Sequence, residues 1–508
     1  MIIIYLTDLS YENDVYPLVK AFYPQEVIKF LEESPRTDRD KRIQNTQDML
    51  ETSHKSLEDI VDKELHIKFL EGQVDISLHE NGARVIRDKA VLASNLSKLQ
   101  YKNSMKRILY GILSKASGRE LPWGILTGIR PTKIICEMLE HGEEETPIYH
   151  MMKTEYNCSD AKIDLSIKIA RRELELLNKM DYQKGYSLYI GIPFCPTTCL
   201  YCSFTSYSIS KLSNLVEGYL DALEKEIRYG ATCFPDKKLT TVYFGGGTPT
   251  TLSPKQLDRL LRLVRENYDF TYVQEFCVEA GRPDSITKDK LAVLKKWGVN
   301  RISINPQSMQ QRTLDLIGRE HSVREVKEAF YLARETGHDN INMDIILGLP
   351  GETLEDVKDT LNQIKELNPE SLTVHTLALK RAARLNIEKE EYDALKASGV
   401  TNMLEETFTF TKENDYLPYY LYRQKNMADN LENIGYSRYG REGLYNILIM
   451  EEKQTILALG AGGMSKFVFH NENRIERVDN VKSVTDYINR IDEMLLRKQN
   501  FLKANPQL

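Results

Sequence analysis

Residues 191 to 202 read GIPFCPTTCLYC and place Cys195, Cys199 and Cys202 within one short loop. The chain has seven cysteines, so three of them stand here at spacings of four and three. Structural zinc takes four ligands, usually two CxxC-like pairs of Cys or His. No His lies near this loop, and the next cysteine is Cys233. Thiolate-rich loops also hold iron–sulfur clusters. A four-iron cluster held by three thiolates leaves one iron open to another ligand.

Such a loop needs a scaffold. The 508 residues are long enough for two to four domains. Hydrophobic content of 41% and charged content of 28% fit an ordinary globular protein. A formal net charge of -6 argues against a general nucleic-acid binder. The opening MIIIYLTDLS lacks the basic n-region and long apolar core of a signal peptide. No apolar run approaches the roughly 18 to 20 residues of a membrane-spanning helix. Cys136, Cys158, Cys233 and Cys277 are scattered and the total is odd, which points to a reducing, cytoplasmic setting and not to a disulfide framework.

The first 140 residues read as an α+β domain of unknown role. MIIIYL is strand-like, and LHIKFLEGQVDISLHENGARVIRDKAVL reads as two or three strands joined by Gly-containing turns. The acidic EHGEEETP (140–147) is the candidate linker, and a bridging helix completes residues 141–185. Between 186 and 385 a rhythm sets in: six apolar β segments alternate with amphipathic helices, which predicts a parallel sheet. A complete eight-unit barrel takes about 250 residues, so six units predict a partial (βα)6 barrel of the α/β class. Ligands of such folds meet the loops at the carboxyl ends of the strands. The cysteine loop and the glycine run GGGTPT (245–250) fall there. After residue 385 the rhythm stops, and 386–508 read as a mixed α/β C-terminal domain. Within it the aromatic YLPYYLYR (416–423) can wall a flat apolar ligand, but reads better as a core strand.

CxxxCxxC after the first strand of a partial barrel resembles the radical S-adenosylmethionine (SAM) superfamily. The resemblance implies a 4Fe-4S cluster on Cys195, Cys199 and Cys202, with SAM on the open iron as the source of a 5′-deoxyadenosyl radical. YIGIPFCPTTCLYCSF, YFGGGTPT, RISINPQS, IGREH and MDIILGLPGET are similar to the oxygen-independent coproporphyrinogen III oxidase family, and most to its HemZ-type branch. That resemblance covers about residues 185 to 500. It assigns Tyr189, Gly246 and Glu279 to the cluster-bound SAM. Tyr201, Gly247, Thr248, Gln307, Arg319, Asp344 and Ala378 match a site for a second SAM. The implied reaction is oxidative decarboxylation of coproporphyrinogen III to protoporphyrinogen IX, with a donor such as flavodoxin and an external electron acceptor. A heme-binding trafficking protein that keeps the cluster, or another radical reaction on a tetrapyrrole, are the other readings.

Three positions depart from the family. Gly191 stands where its members have His, and Phe204 stands where its oxidases have a further Cys. Phe at that place is typical of the related heme chaperones, yet Gln424 stands where the chaperones' HNxxYW motif has its His. Lys380, Arg381 and Arg384 are candidates for propionate carboxylates, and His321 and His375 for contacts at the barrel rim.

Overall fold

The computed structural model of the chain describes residues 1–33, 62–92, 95–128, 130–202, 206–378, 399–423 and 431–508. They form two compact units, Met1–Ile167 with Arg423–Leu431, and Lys168–Tyr422 with Glu432–Leu508. The linker expected at 140–147 lies in the first unit, where EHGEEETP runs into a helix, Glu145–Thr154; the break expected near residue 386 lies outside the described residues.

The first unit is a five-stranded sheet in the order β2-β1-β3-β4-β5. Its strands are β1 (Ile2–Leu6), β2 (Ile28–Glu32), β3 (Lys63–Leu70), β4 (Gln73–Glu80) and β5 (Ala83–Val91). β1 pairs in parallel with β2 and β3, whereas β3, β4 and β5 form an antiparallel meander. Asn81 and Gly82, both at positive φ, make the β4–β5 turn, as Asn-Gly does in two-residue hairpins. Alternate residues Leu65, Ile67, Val74, Ile76 and Leu78 point to a core shared with helix Lys98–Ser117, which starts on a Ser97/Gln100 capping box.

The second unit carries the predicted rhythm. β6 (Gly185–Ile192) leads into the cysteine loop, where β7 (Phe194–Cys195) pairs with β8 (Tyr207–Ser208). β9 (Lys238–Gly246), β10 (Glu275–Gly281), β11 (Arg301–Ile304), β12 (Ile341–Leu347) and β13 (Ser371–Thr376) follow, each separated from the next by helix. These six strands are parallel and lie side by side in chain order. They are buried almost throughout, so little alternation between an inner and an outer face survives. Capping boxes at Ser253/Gln256, Ser322/Glu325 and Thr353/Asp356 start three of those helices.

Later strands extend this same sheet. β14 (Leu417–Tyr422) and β15 (Asn433–Ser437) join antiparallel beside β13. β16 (Thr455–Leu459) pairs in parallel with β6, and β17 (Met464–Phe469) and β18 (Arg474–Asp479) complete that flank. YLPYYLYR is therefore mostly a core strand, with Tyr419 and Tyr420 buried.

A buried polar network holds the β16 flank. Lys498 and Glu226 have no exposed side-chain surface, and Lys498 Nζ donates to Glu226 Oε1 at 2.8 Å and to Asn480 Oδ1 at 2.6 Å. Asn480, Tyr487 and the Gly460 amide also donate to the Glu226 carboxylate. Tyr219 accepts from the Ala461 amide at 3.1 Å and donates to the Gly191 carbonyl at 2.6 Å, linking the network to the last turn of β6.

Breaking such a pair leaves an uncompensated buried charge, which costs about 3 to 5 kcal/mol. Lys498→Met should therefore lower the stability of this unit by about that amount in denaturant unfolding. Removing both charges while keeping an acceptor for the buried donors, in Glu226→Gln/Lys498→Met, should recover part of the loss. Equal midpoints for wild type and Lys498→Met would contradict this account.

Candidate functional site

The cysteine loop is held by backbone before any side chain acts. Parallel pairing sets Gly191 beside Gly245 and Ile192 beside Gly246. Past the strand ends, the Gly247 amide donates to the Ile192 carbonyl at 2.8 Å and the Thr248 amide to that of Phe194 at 2.7 Å. This approach has no room for a side chain at 247. A Cβ there would lie 2.6 Å from the Phe194 oxygen and 3.0 Å from Cys195 Sγ. Gly191 is tight for a related reason, with a Cβ falling 3.3 Å from the Leu459 carbonyl oxygen. The departure from His at this position thus coincides with the close seat of the turn after β16.

The three thiols share one environment. Cys199 is buried, Cys195 and Cys202 are half-buried, and no disulfide involves any of them. The Cys202 amide closes the turn on the Cys199 carbonyl at 3.2 Å. Burial pushes the Cys195 thiol above its ordinary value, opposed by hydrogen bonds from Thr248 and Ser206, with the Cys202 and Cys199 sulfurs adding to the rise. Thr248 Oγ1 donates to Cys195 Sγ at 3.5 Å, and Arg282 Nη1 approaches Cys199 Sγ at 3.9 Å. Three neighbouring thiols, two of them with donors aimed at their sulfurs, fit an iron–sulfur cluster. The ends of β6 and β9 bring Cys195, Gly247 and Thr248 together.

Beside the loop, Tyr189, Tyr243 and Tyr445 stack, the last two with ring centroids 4.4 Å apart. The Tyr243 hydroxyl donates to Glu279 Oε1. Burial pushes the Glu279 carboxyl up to about 7, opposed by that hydrogen bond and reinforced by the nearby charge of Asp344. Gly246 lies against Tyr189, since a Cβ on it would fall 3.2 Å from the phenol oxygen. Tyr189, Gly246 and Glu279 therefore line one corner.

A second group follows along β11 to β13. Arg319 is buried; its Nε and Nη2 donate to the Tyr201 hydroxyl at 3.2 and 2.9 Å, and its Nη1 to the Asn305 carbonyl at 2.6 Å. Among the described residues no carboxylate forms a salt bridge with it. Gln307 sits at φ 67° and is pinned there, its amide donating to the Asp344 carbonyl and its own carbonyl accepting from Ile346, both at 2.9 Å. Its buried Oε1 and that of Asn305 Oδ1 have no hydrogen-bond partner among the described residues. A strained residue with an unsatisfied side chain is a signature of a ligand seat. Asp344 accepts from Asn342 Nδ2 at 2.6 Å and faces His375 Nε2 at 3.7 Å. Burial raises its carboxyl, but His375, Asn342 and Thr373 together hold it below the usual range. Ala378 is half-buried two residues beyond β13.

Of the rim histidines, His375 meets Asp344, and its Nδ1 lies 3.4 Å from the Tyr422 hydroxyl. His321 is buried, and neither ring nitrogen has a hydrogen-bond partner among the described residues. Burial and the Arg319 charge push it down to about 4. Phe204, Lys380, Arg381, Arg384 and Gln424 lie outside the described residues. Arg282, Tyr243 and Tyr445 escaped the sequence reading. Arg282 follows the end of β10 and Tyr243 points inward from β9, so both had a positional signal. Tyr445 had none: it arrives with a helix whose first amides, at Leu444 and Tyr445, donate to the buried Glu275 carboxylate.

The radical SAM superfamily model matches residues 189–364. The oxygen-independent coproporphyrinogen-III oxidase-like protein HemZ of Bacillus subtilis is 43% identical over 408 residues, which span 80% of this chain and 81% of that protein. The heme chaperone HemW of Bacillus subtilis is 39% identical over 223 residues, 41% of this chain and 57% of its own length. Among solved structures, the radical SAM coproporphyrinogen III oxidase HemN of Escherichia coli aligns with a TM-score of 0.51 at 26% identity, covering 63% of this chain and 72% of that one. The chain therefore belongs to the radical SAM superfamily and, within it, to the oxygen-independent coproporphyrinogen III oxidase-like proteins of the HemZ type.

Proposed function

We propose that the protein catalyses the oxidative decarboxylation of coproporphyrinogen III to protoporphyrinogen IX. The observation that carries this reading is the likeness to the HemZ protein along 80% of the chain, in register with a three-thiol loop at the carboxyl ends of parallel strands. Membership of the superfamily implies a 4Fe-4S cluster and SAM. When bound, they supply a 5′-deoxyadenosyl radical that removes a hydrogen atom from the β-carbon of a propionate. Loss of CO₂ and one electron from that side chain then leaves a vinyl group, once on each of two rings. The electron leaves to an external acceptor, and a donor such as flavodoxin reduces the cluster.

The chain's own residues bind and orient in this scheme. Cys195, Cys199 and Cys202 hold iron, while Thr248 and Gly247 keep the loop seated. Tyr189, Gly246 and Glu279 hold the cluster-bound SAM. Tyr201, Gly247, Thr248, Gln307, Arg319, Asp344 and Ala378 receive a second SAM, whose carboxylate would give buried Arg319 an anionic partner and whose donors would satisfy Gln307 Oε1. The radical-generating core is residues 186–385, flanked by the N-terminal and C-terminal parts.

Three tests follow. Cluster-replete wild-type protein, kept anaerobic with SAM, a reductant and an electron acceptor, should convert coproporphyrinogen III with release of CO₂, methionine and 5′-deoxyadenosine. Alanine at any of the three loop cysteines should abolish this, and alanine at Cys233 should not. Tight one-to-one heme binding without any vinyl product would assign the chain to the chaperone branch instead.

Equilibrium dialysis should find two SAM molecules per chain. Arg319→Ala should weaken one of them about 10- to 150-fold, since a hydrogen bond to a charged group contributes about 1.5 to 3 kcal/mol. One binding event, indifferent to Arg319, would remove the second site.

Affinity for SAM should rise as the pH is raised through about 7. Glu279 is largely protonated below that value, and the cationic ligand favours its ionised form. Without ligand the sign is opposite for stability: a carboxyl raised above its unfolded value favours the folded state at low pH and loses that advantage as pH climbs past it. Glu279→Gln should flatten the binding profile; a slope that persists in this variant would acquit Glu279.

A further inference from the structure

We propose that Arg282 is a positioning residue for the cysteine loop and that its guanidinium raises the reduction potential of the cluster bound there. The segment Ala280-Gly281-Arg282-Pro283-Asp284 turns away at the carboxyl end of β10, and Arg282 is only 3% exposed. Its Nε and Nη2 grip the two Asp284 carboxylate oxygens, at 3.0 and 2.6 Å. That bidentate grip fixes the plane of the guanidinium and aims the remaining nitrogen at the loop. Nη1 donates to Thr197 Oγ1 and lies 3.3 Å from the Thr197 carbonyl oxygen, with Cys199 Sγ at 3.9 Å. Thr197 sits between the first two loop cysteines, so one side chain fastens the loop to a different strand and places a cation against its middle sulfur.

Both effects follow from one geometry. Asp284 sits on the Nε and Nη2 edge, away from the sulfur, so its charge offsets that of Arg282 less at Cys199 than at the ion pair itself. An N–H donor and a nearby positive charge stabilise the more negative, reduced cluster. Arg319 also carries charge in this neighbourhood, but its three donor atoms are directed to Tyr201 and the Asn305 carbonyl. Lysine could not reproduce the arrangement, because a single ammonium cannot span Asp284, Thr197 and Cys199 in one plane. This inference requires only the cluster of the superfamily. It is independent of the tetrapyrrole reading, and failure of decarboxylation would leave it standing.

The test compares full-length wild type, Arg282→Lys and Arg282→Gln after anaerobic reconstitution with iron and sulfide. Bound iron is counted first. The oxidised cluster is then titrated with dithionite and redox mediators, without SAM, and the appearance of the reduced cluster is followed by EPR. The midpoint potential should fall in the order wild type, Lys, Gln. An iron-replete Arg282→Gln protein at the wild-type midpoint overturns the proposal. If Arg282→Gln takes up no cluster, Arg282→Lys decides: a lowered midpoint supports the proposal and an unchanged one overturns it. If neither variant binds iron while both keep wild-type circular dichroism, the redox assignment falls and Arg282 is an anchor alone.

Discussion

The site depends on one close approach of backbone to backbone. Where β6 and β9 end, the chain after β9 comes near enough to the cysteine loop that position 247 has no space for a Cβ. The amides of Gly247 and Thr248 use that proximity to hold the carbonyls of Ile192 and Phe194. The loop bearing three thiols is thus tied to the sheet by main-chain hydrogen bonds before its cysteines bind anything. Donors from β9 and β10 then come into reach of the sulfurs.

Two carboxylates, Glu279 on β10 and Asp344 on β12 with β11 between them, are tuned in opposite directions. Glu279 has a phenol for a partner and no cation, so burial keeps its proton on near neutrality. Asp344 has an imidazole, an amide and a hydroxyl around it, and these outweigh the same burial. The first keeps its proton near neutrality; the second is already a settled anion. Arg319 is the complement of both, a buried cation resting on neutral oxygens.

Most of this was legible where local sequence dictates geometry. CxxxCxxC, the glycine run and six apolar segments alternating with helices reported the loop, its seat and the parallel order, because each depends on neighbours in the chain. The asparagine–glycine turn of the first unit was equally plain. What escaped was long-range. That β16 would lie in parallel beside β6, or that Tyr445 would stack on Tyr243, depends on pairings between segments far apart in the chain. Arg282 escaped for another reason: an arginine after a strand is usually a surface residue, and only burial against Asp284 and Thr197 shows what it holds.

The buried pair behind β6 has a temporal side. Glu226 and Lys498 are 272 positions apart, and β16, the parallel neighbour of β6, also comes late in the chain. At synthesis rates of about 5 to 20 residues per second, the carboxylate waits roughly 15 to 55 seconds for its ammonium partner. Throughout that interval the cysteine loop is already made, while one edge of the strand that presents it stands bare. During synthesis the thiols thus precede part of the scaffold that seats them.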